Sequence, residues 1–398
     1  MSLLITNIGE LTTQDAERRV LTDAAVVVED GRFAWIGAAA DAPAADDVHD
    51  AGSRAGLPGW VDSHTHLLFA GDRSAEFEAR MAGEAYAAGG ISVTMEATRA
   101  ADDYELTRLL LGRVAEAAAG GTTYLETKTG YGLSVEEERR HARIASSVVD
   151  QVTYLGAHLV PPGAVADEYT ELVCTEMLDA VRPYAQFADV FCERGAFDED
   201  QSRRVLTACR DAGLGLRVHG NQLGPGPGVR LAVEFGAASV DHVNYLEPAD
   251  VELLAGTWSG WDVASATGTP GVVATCLPAC DLSTRQPLAP GRELLDAGVE
   301  IALASNCNPG TSYTTSMAYC VGTAVLQMGL SVTEAVRAAT YGGALALGVQ
   351  DTVGSIEVGK RADLQLLNAP AAAHLAYRPG MPLTQAVFRA GERVDGRG

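Results

Sequence analysis

The chain has 398 residues, of which 47% are hydrophobic and 6% are aromatic, and its formal net charge is −23. Such an acidic surface repels nucleic acid and anionic membranes, because phosphate binding needs clustered Lys and Arg side chains. No apolar run is long enough to span a bilayer, and the first residues lack the basic segment and cleavage site of a secretory signal. We therefore expect a cytoplasmic protein that binds neither nucleic acid nor a membrane.

The seven cysteines also favour a reducing compartment. Their number is odd, none lies in a Cys-x-x-Cys motif, and most have apolar neighbours. This pattern is typical of small buried hydrophobic side chains rather than of disulfide bonds.

Both ends of the chain carry short alternating segments broken by turns. Residues 24–37 contain Asp30-Gly31 between two strand-like runs, which is a strong hairpin signal. Residues 363–367 and 385–394 are also strand-like. The pattern predicts one small β-sandwich domain made of residues 1–56 and 351–398.

The middle of the chain, residues 57–350, alternates between strands and helices. Eight strand-like segments each end at a polar residue, at 61–66, 122–128, 152–158, 188–193, 214–222, 238–242, 272–278 and 300–306. The amphipathic stretches between them include 104–119, 135–149, 168–181 and 199–212. Eight such units close a barrel, so the predicted fold class is α/β, a (β/α)8 TIM barrel. Residues 257–271, rich in Gly, Ser and Thr, are predicted to be a loop inserted before the seventh strand.

Histidines concentrate at the predicted strand ends. Five of the eight lie there: His64, His66, His158, His219 and His242. The carboxyl ends of the strands form the active face of a barrel, and a purely structural buried histidine must have its ring nitrogens satisfied. His64 and His66 are two residues apart on one strand, so both point to the same face and can reach one metal ion.

Several blocks of the sequence resemble one known family. The segments Gly59 to His66 (GWVDSHTH) and Gly354 to Asp363 (GSIEVGKRAD) are similar to the opening and closing motifs of the amidohydrolase superfamily. A narrower similarity, to the branch that opens the imidazolone ring in histidine degradation, involves residues 69–73, 126–133, 154–158, 190–193 and 308–310. The resemblance covers essentially the whole chain and implies a metal-dependent barrel, often found as a homodimer.

The resemblance also implies a reaction. The expected activity is hydrolysis of the cyclic amide C–N bond of 4-imidazolone-5-propanoate, a small anionic ring compound, to N-formimidoyl-L-glutamate. It implies one divalent metal, Zn or Fe, that activates a water molecule. The implied metal ligands are His64, His66, His219 and Asn306. His158, His242 and Asn306 are the expected catalytic residues, and His158 also contacts the substrate.

The remaining implied residues would bind the anionic substrate from the loops above the strands. Arg73 can hold the propionate carboxylate through two parallel hydrogen bonds. The alternative for Arg73 is a surface pair with Glu76 or Asp72. Backbone N–H groups in the loop after strand eight are expected to donate further hydrogen bonds to the substrate carboxylate. The other implied substrate contacts are Tyr86, Tyr131, His158, Gln222, Asn308, Gly310 and Thr311.

Two of these residues have structural alternatives, and two carboxylates have supporting roles. Gln222 can instead be an exposed loop amide, and His242 can be a structural hydrogen-bonding group. Glu126 and Glu193 are expected to orient the histidine ligands or Lys128, and the alternative for both is to serve as the base.

Asn306 departs from the family, which has an Asp there that binds the metal and accepts a proton from water. An amide oxygen can coordinate a metal, but it is neutral and is no base near neutral pH. Three explanations stay open from the sequence: an engineered substitution, a different base, or a changed or lost reaction. The alternatives to the implied function are therefore hydrolysis or deamination of another ring, and binding of a ring compound without turnover.

Overall fold

A computed structural model describes residues 2–83, 90–262, 265 and 267–394. The strands are β1 Ser2–Thr12, β2 Val20–Glu29, β3 Arg32–Ala38, β4 Asp47–Pro58, β5 Trp60–Asp62, β6 Thr122–Lys128, β7 Gln151–Ala157, β8 Phe187–Cys192, β9 Gly215–Gly220, β10 Ser239–His242, β11 Trp261–Asp262, β12 Thr267–Gly268, β13 Val273–Cys276, β14 Ile301–Leu303, β15 Leu364–Leu367, β16 Thr384–Arg389 and β17 Glu392–Arg393. The helices are α1 Ser74–Met81, α2 Ile91–Ala100, α3 Asp103–Ala119, α4 Val135–Ser146, α5 Ala166–Cys174, α6 Glu176–Val181, α7 Glu199–Asp211, α8 Gly228–Phe235, α9 Pro248–Thr257, α10 Pro278–Thr284, α11 Gly291–Asp296, α12 Met317–Gln327, α13 Val332–Arg337, α14 Gly343–Ala346 and α15 His374–Tyr377.

The two ends of the chain form one seven-stranded sheet, in the order β17-β16-β15-β4-β1-β2-β3. Strand β4 joins them, because it pairs with β1 on one side and with β15 on the other. Asp30 (φ 49°) and Gly31 (φ 76°) connect β2 to β3, and positive φ at both residues suits the twist of a tight hairpin. The buried face takes Ile5, Phe33 and Leu364 from both ends into one cluster. The shared sheet is confirmed, whereas the boundaries at residues 56 and 351 stay a prediction.

Eight parallel strands form the barrel sheet, in the order β14-β13-β10-β9-β8-β7-β6-β5. The first and last strands meet just beyond their ends. There the Asn306 N–H donates to the His64 carbonyl at 2.9 Å, and the His66 N–H donates to the Cys307 carbonyl at 2.9 Å. The barrel predicted from eight strand–helix units is confirmed, and it closes through the backbone of predicted site residues.

Three local features differ from the sequence-based expectation. Strand β5 ends at Asp62, so His64 and His66 lie in the segment that follows it. The helix expected over 168–181 is two helices, α5 and α6, because Thr175 leaves the helical region with φ −123° and ψ −99°. The inserted segment before β13 contains the small β11–β12 hairpin, although residues 263, 264 and 266 lie outside the description.

Side chains that precede two of the helices cap their N-termini. Asp198 caps α7 and Ser331 caps α13, each in a reciprocal capping box with the residue three positions later. Among the described residues, no helix is both long enough and apolar enough to cross a membrane.

Candidate metal centre and active site

The five histidines predicted at the strand ends meet at one rim of the barrel. His64 and His66 follow β5, His158 follows β7, His219 lies in β9 and His242 ends β10. The ring centroids lie 4.5 Å apart for His64 and His219, 5.4 Å for His66 and His158, and 5.3 Å for His219 and His242. His158 is partly exposed, and the other four are buried.

Among the described residues, His64, His219 and His242 form one set of possible metal donors, and each offers one atom within 4.8 Å of the others. The ring of His66 lies beside this set, with centroids 5.3 Å from His64 and 5.6 Å from His219. The fold therefore brings the predicted histidine ligands together. It also places His242, expected as a catalytic group, within the same cluster.

The ring nitrogens of this cluster suit a divalent cation. His64 Nδ1 lies 2.6 Å from Asp241 Oδ2, and His219 Nδ1 lies 2.9 Å from Asp189 Oδ2. A carboxylate behind each ring favours the tautomer that carries a proton on Nδ1 and leaves a lone pair on Nε2. Nε2 of both rings and Nδ1 of His66 are buried without a partner in the described part of the chain. Buried nitrogens that lack partners are costly, and a shared cation would satisfy them.

His64, His66, His158 and His242 remain neutral around pH 7. Burial lowers the pKa of His64, His66 and His242 well below the ordinary value, and neighbouring cationic groups lower it further. Burial also lowers the pKa of His158 to about 3. Neutral imidazoles can bind a metal or accept a proton, which protonated rings cannot do.

A fully buried charge cluster lies beneath the histidines. Lys128 Nζ is 2.9 Å from Asp189 Oδ2, 3.1 Å from Glu126 Oε1 and 3.8 Å from Asp241 Oδ2. Arg217 is the second cation, with Nη1 3.8 Å from Glu126 Oε1. Three carboxylates therefore face two cations, and the excess negative charge lies next to the histidine cluster. Such charge is favourable beside a divalent cation.

Asp189 and Asp241 are site residues that sequence reasoning missed. Burial acts to lower the pKa of Lys128, but Glu126, Asp189 and Asp241 together more than compensate and raise it. Burial acts to raise the pKa of Asp189, but His219 and Lys128 together hold it below its ordinary value. The signal in the sequence was a carboxylate inside an apolar strand, where an unpaired charge would be costly.

Three residues at this rim of the barrel have positive φ angles. His242 has φ 82°, Val243 has φ 50° and Asn306 has φ 50°. Asn tolerates the left-handed region, but a β-branched residue such as Val243 rarely adopts it. Strained residues persist only where the surrounding structure holds them, and they cluster at functional sites.

A cleft opens above the histidines. Its wall combines apolar side chains, Ile91, Leu159 and Phe191, with polar ones. The predicted residues that line it are His66, Arg73, Tyr131, His158, His219, Gln222, His242, Asn306, Asn308 and Thr311. Tyr86, another predicted contact, lies outside the described residues.

Arg73 lines the cleft, precedes helix α1 and also pairs with Glu76 of that helix. It is 7% exposed, and its Nε and Nη2 donate to the Glu76 carboxylate at 2.8 and 2.7 Å. The pairing with Glu76 is therefore present, although Arg73 is buried rather than on the surface, and binding of the propionate carboxylate stays a prediction. Gly310 packs against the guanidinium, where a Cβ would lie 2.2 Å from Arg73 Nη1, so this position must be glycine for Arg73 to keep its place.

The loop after strand eight is held by Asn308 itself. Its Oδ1 accepts from the N–H groups of Gly310 (2.9 Å) and Thr311 (2.8 Å), and its Nδ2 donates to the Asn306 carbonyl at 2.7 Å. The expectation that these two N–H groups bind the substrate carboxylate is therefore wrong, because both already have an acceptor. Asn308 shapes the loop that presents Asn306 and Thr311.

The two carboxylates expected to support the site have different roles. Glu126 pairs with Lys128, as expected. Within the described part of the chain, Glu193 has no hydrogen bond to a histidine. It accepts from the N–H groups of Gln222 (2.6 Å) and Leu223 (3.1 Å), and so it positions Gln222 at the cleft.

We expect Asp62, which lies behind the site, to make the unfolding of the metal-free protein pH-dependent. Its Oδ1 accepts from the Ser305 N–H at 3.0 Å, and burial raises the pKa of its carboxyl to about 7. The folded state then holds the proton more tightly than the unfolded state, so the stability that Asp62 contributes is complete below about pH 4 and disappears as the pH rises through about 7.

Urea unfolding of the wild type and of Asp62→Asn, at about pH 5 and about pH 8, measures this effect. The amide keeps an acceptor for the Ser305 N–H but does not titrate. The wild type should lose more unfolding free energy between these pH values than the variant. Equal losses would contradict the assignment.

The barrel, the composite sheet and the strand-end histidines define a class of protein. The model of the amidohydrolase family matches residues 56–394. The chain belongs to the amidohydrolase family.

Individual relatives place it more narrowly. The chain is 76% identical to the imidazolonepropionase of Arthrobacter sp. (strain FB24), with 99% of this chain and 100% of the relative covered. It is 66% identical to the imidazolonepropionase of Saccharopolyspora erythraea, with both chains covered completely. These similarities extend over the composite sheet as well as the barrel.

Solved structures support the fold alone. An adenosine deaminase from Xanthomonas campestris with bound zinc superposes with a TM-score of 0.71 at 20% identity, covering 98% of this chain and 92% of that chain. Atrazine chlorohydrolase TrzN from Arthrobacter aurescens TC1, complexed with zinc, gives 0.73 at 18% identity, covering 98% and 94%.

Proposed function

We propose that the protein hydrolyses the cyclic amide C–N bond of 4-imidazolone-5-propanoate, a step of histidine degradation, and releases N-formimidoyl-L-glutamate. The single observation that carries the proposal is the cleft itself. Its lining includes His66 and His219, which have buried nitrogens without a partner in the described part of the chain, and Arg73 lies in its wall as a cation for the propionate group. The full-length similarity to imidazolonepropionases supports the same substrate.

One divalent cation, Zn or Fe, would be held by His64, His66, His219 and the amide oxygen of Asn306. When bound, it supplies a Lewis acid that polarises the ring carbonyl and lowers the pKa of water. Asp189 and Asp241 keep two of these rings in the binding tautomer.

The chain's own residues can then guide the protons. The oxygen of water adds to the ring carbonyl carbon, the ring C–N bond breaks, and the ring nitrogen takes up a proton. His242 Nδ1, buried without a partner in the described part of the chain, accepts the proton from water and passes it to that nitrogen. His158 donates from Nδ1 to the Gly130 carbonyl at 3.0 Å, so its Nε2 is the acceptor that holds a ring N–H.

The decisive experiment compares the protein with Asn306→Asp. Metal content and hydrolysis of 4-imidazolone-5-propanoate are measured side by side. We expect the protein as it stands to turn over, because His242 replaces the carboxylate as proton acceptor. The Asp variant should bind the metal more tightly, since it adds an anionic ligand. If neither form consumes the substrate, the substrate assignment is wrong.

Arg73→Met is expected to raise KM for the propionate substrate by about 10- to 100-fold, because charged hydrogen bonds contribute about 1.5–3 kcal/mol. The control is an analogue that carries a neutral carboxamide in place of the propionate carboxylate. Wild type and variant should have similar KM values for this analogue. A KM for the acid that is unchanged in Arg73→Met would exclude Arg73 from substrate binding.

We also propose that the protein is cytoplasmic, as the cysteine pattern indicates, and that it forms a homodimer, as the family resemblance implies. Sedimentation equilibrium of the purified protein tests the assembly. A monomer at micromolar concentration would overturn it.

A further inference from the structure

A second group of possible metal donors lies beside the histidine cluster. His242, Cys280 and Asp281 each offer one atom within 4.8 Å of the others, and all three are at most 2% exposed. His242 belongs to both groups. The proposed reaction does not use Cys280 or Asp281.

The position of helix α10 places the side chains of Cys280 and Asp281 at the active-site rim. Helix α10 begins at Pro278, two residues after β13 ends, so its first turn carries Cys280 and Asp281 to the carboxyl end of the barrel. The thiol of Cys280 interacts with the side chains of Thr311, Asn306 and Thr284. Cys280 is therefore next to the position where the family has its acidic ligand.

Polar atoms in this group lack partners. His242 Nδ1 and Asp281 Oδ1 are both buried without a hydrogen-bond partner in the described part of the chain. Burying two such atoms without partners lowers the stability of the fold, and a ligand shared with the neighbouring thiol would remove this penalty. A combination of sulfur, nitrogen and oxygen donors suits Zn and related thiophilic cations, and it disfavours Mg and Ca, which take oxygen ligands.

We propose that His242, Cys280 and Asp281 form a second site for a thiophilic divalent cation, adjacent to the histidine site. Binding displaces the thiol proton to the solvent, and the cation is held by a thiolate, an imidazole and a carboxylate. Because the second cation takes His242, it blocks the proton transfer assigned to that ring. Excess Zn²⁺ therefore inhibits the enzyme. Only this last consequence rests on the proposed function.

The test is a titration of the full-length, metal-free protein with Co²⁺, followed by absorbance. The first equivalent fills the histidine site and produces no thiolate-to-cobalt charge-transfer band. The second equivalent produces that band in the near ultraviolet. Cys280→Ser, which conserves size, should lose the band and keep the first equivalent. Asp281→Asn should weaken the second binding step by at least about tenfold, since even partners behind metal ligands contribute this much.

Cys320→Ser is the matched control. Cys320 is also fully buried near the rim, but its Sγ donates to the Ala304 carbonyl at 3.5 Å and belongs to neither donor group. This variant should retain the band. Absence of the band in the wild type, or its persistence in Cys280→Ser, overturns the proposal.

Inhibition by excess Zn²⁺ gives a second measurement. The wild type should be inhibited and Cys280→Ser should not. The optical titration needs no turnover, so it remains informative even if the imidazolone substrate proves wrong.

Discussion

His219→Asn is expected to remove the bound metal and to lower turnover by more than about 100-fold. The Asn amide can still donate to Asp189 from nearly the position of Nδ1, which lies 2.9 Å from that carboxylate. It lacks Nε2, the atom assigned to the metal. Loss of a partner behind a metal ligand already costs about 10- to 100-fold in affinity or activity, so loss of the ligand itself should cost more.

The matched control for this change is His141→Asn. His141 is also buried, at 1% exposed, but it lies on α4 outside the cleft, with Nε2 3.5 Å from Glu137. Metal analysis and initial rates on both purified variants check the prediction. His141→Asn should retain metal and turnover. A metal content in His219→Asn equal to that of the wild type would remove His219 from the ligand set.

Lys128→Met is expected to lower the free energy of unfolding by about 3–5 kcal/mol, the usual effect of leaving buried charges without their partner. Met fills a similar volume, so packing changes little. Three fully buried carboxylates, Glu126, Asp189 and Asp241, would then face Arg217 alone. Since Asp189 and Asp241 also hold the rings of His219 and His64, metal affinity should fall together with stability.

The chain's other lysine supplies the control. Lys360 Nζ lies 2.9 Å from Glu357 Oε1, but this pair is partly exposed, at 13% and 35%. Partly exposed pairs contribute about 0–1 kcal/mol, so Lys360→Met should unfold close to the wild type in urea. If the two variants unfold at the same urea concentration, the buried cluster does not stabilise the barrel as proposed.

The architecture and most of the site follow from periodic signals in the sequence. Alternating strands and helices predict the barrel, and Asp30-Gly31 predicts the hairpin, because both depend on contacts between residues close in the chain. His64, His219 and His242 are recognisable because parallel strands end at one rim, so a polar residue at each strand end must face the same space.

Other features depend on contacts between distant strands. Asp189 and Asp241 were not predicted, since a carboxylate inside an apolar strand shows its role only when its neighbours are known. Glu193 has the right position in the sequence to support a histidine, yet it faces the loop of Gln222. Asn308 is a second example. Its Oδ1 accepts from the N–H groups of Gly310 and Thr311, which had been expected to bind the substrate.

The sequence by itself determined the fold class, the composite sheet and the histidine-rich rim, because these depend on local periodicity and on the regular geometry of parallel strands. Only the tertiary structure decided which carboxylate supports which ring, and that Cys280 lies next to Asn306 and His242. Those relations join strands and helices distant in the chain. They are set by how the closed barrel packs, and no pattern along one segment encodes them.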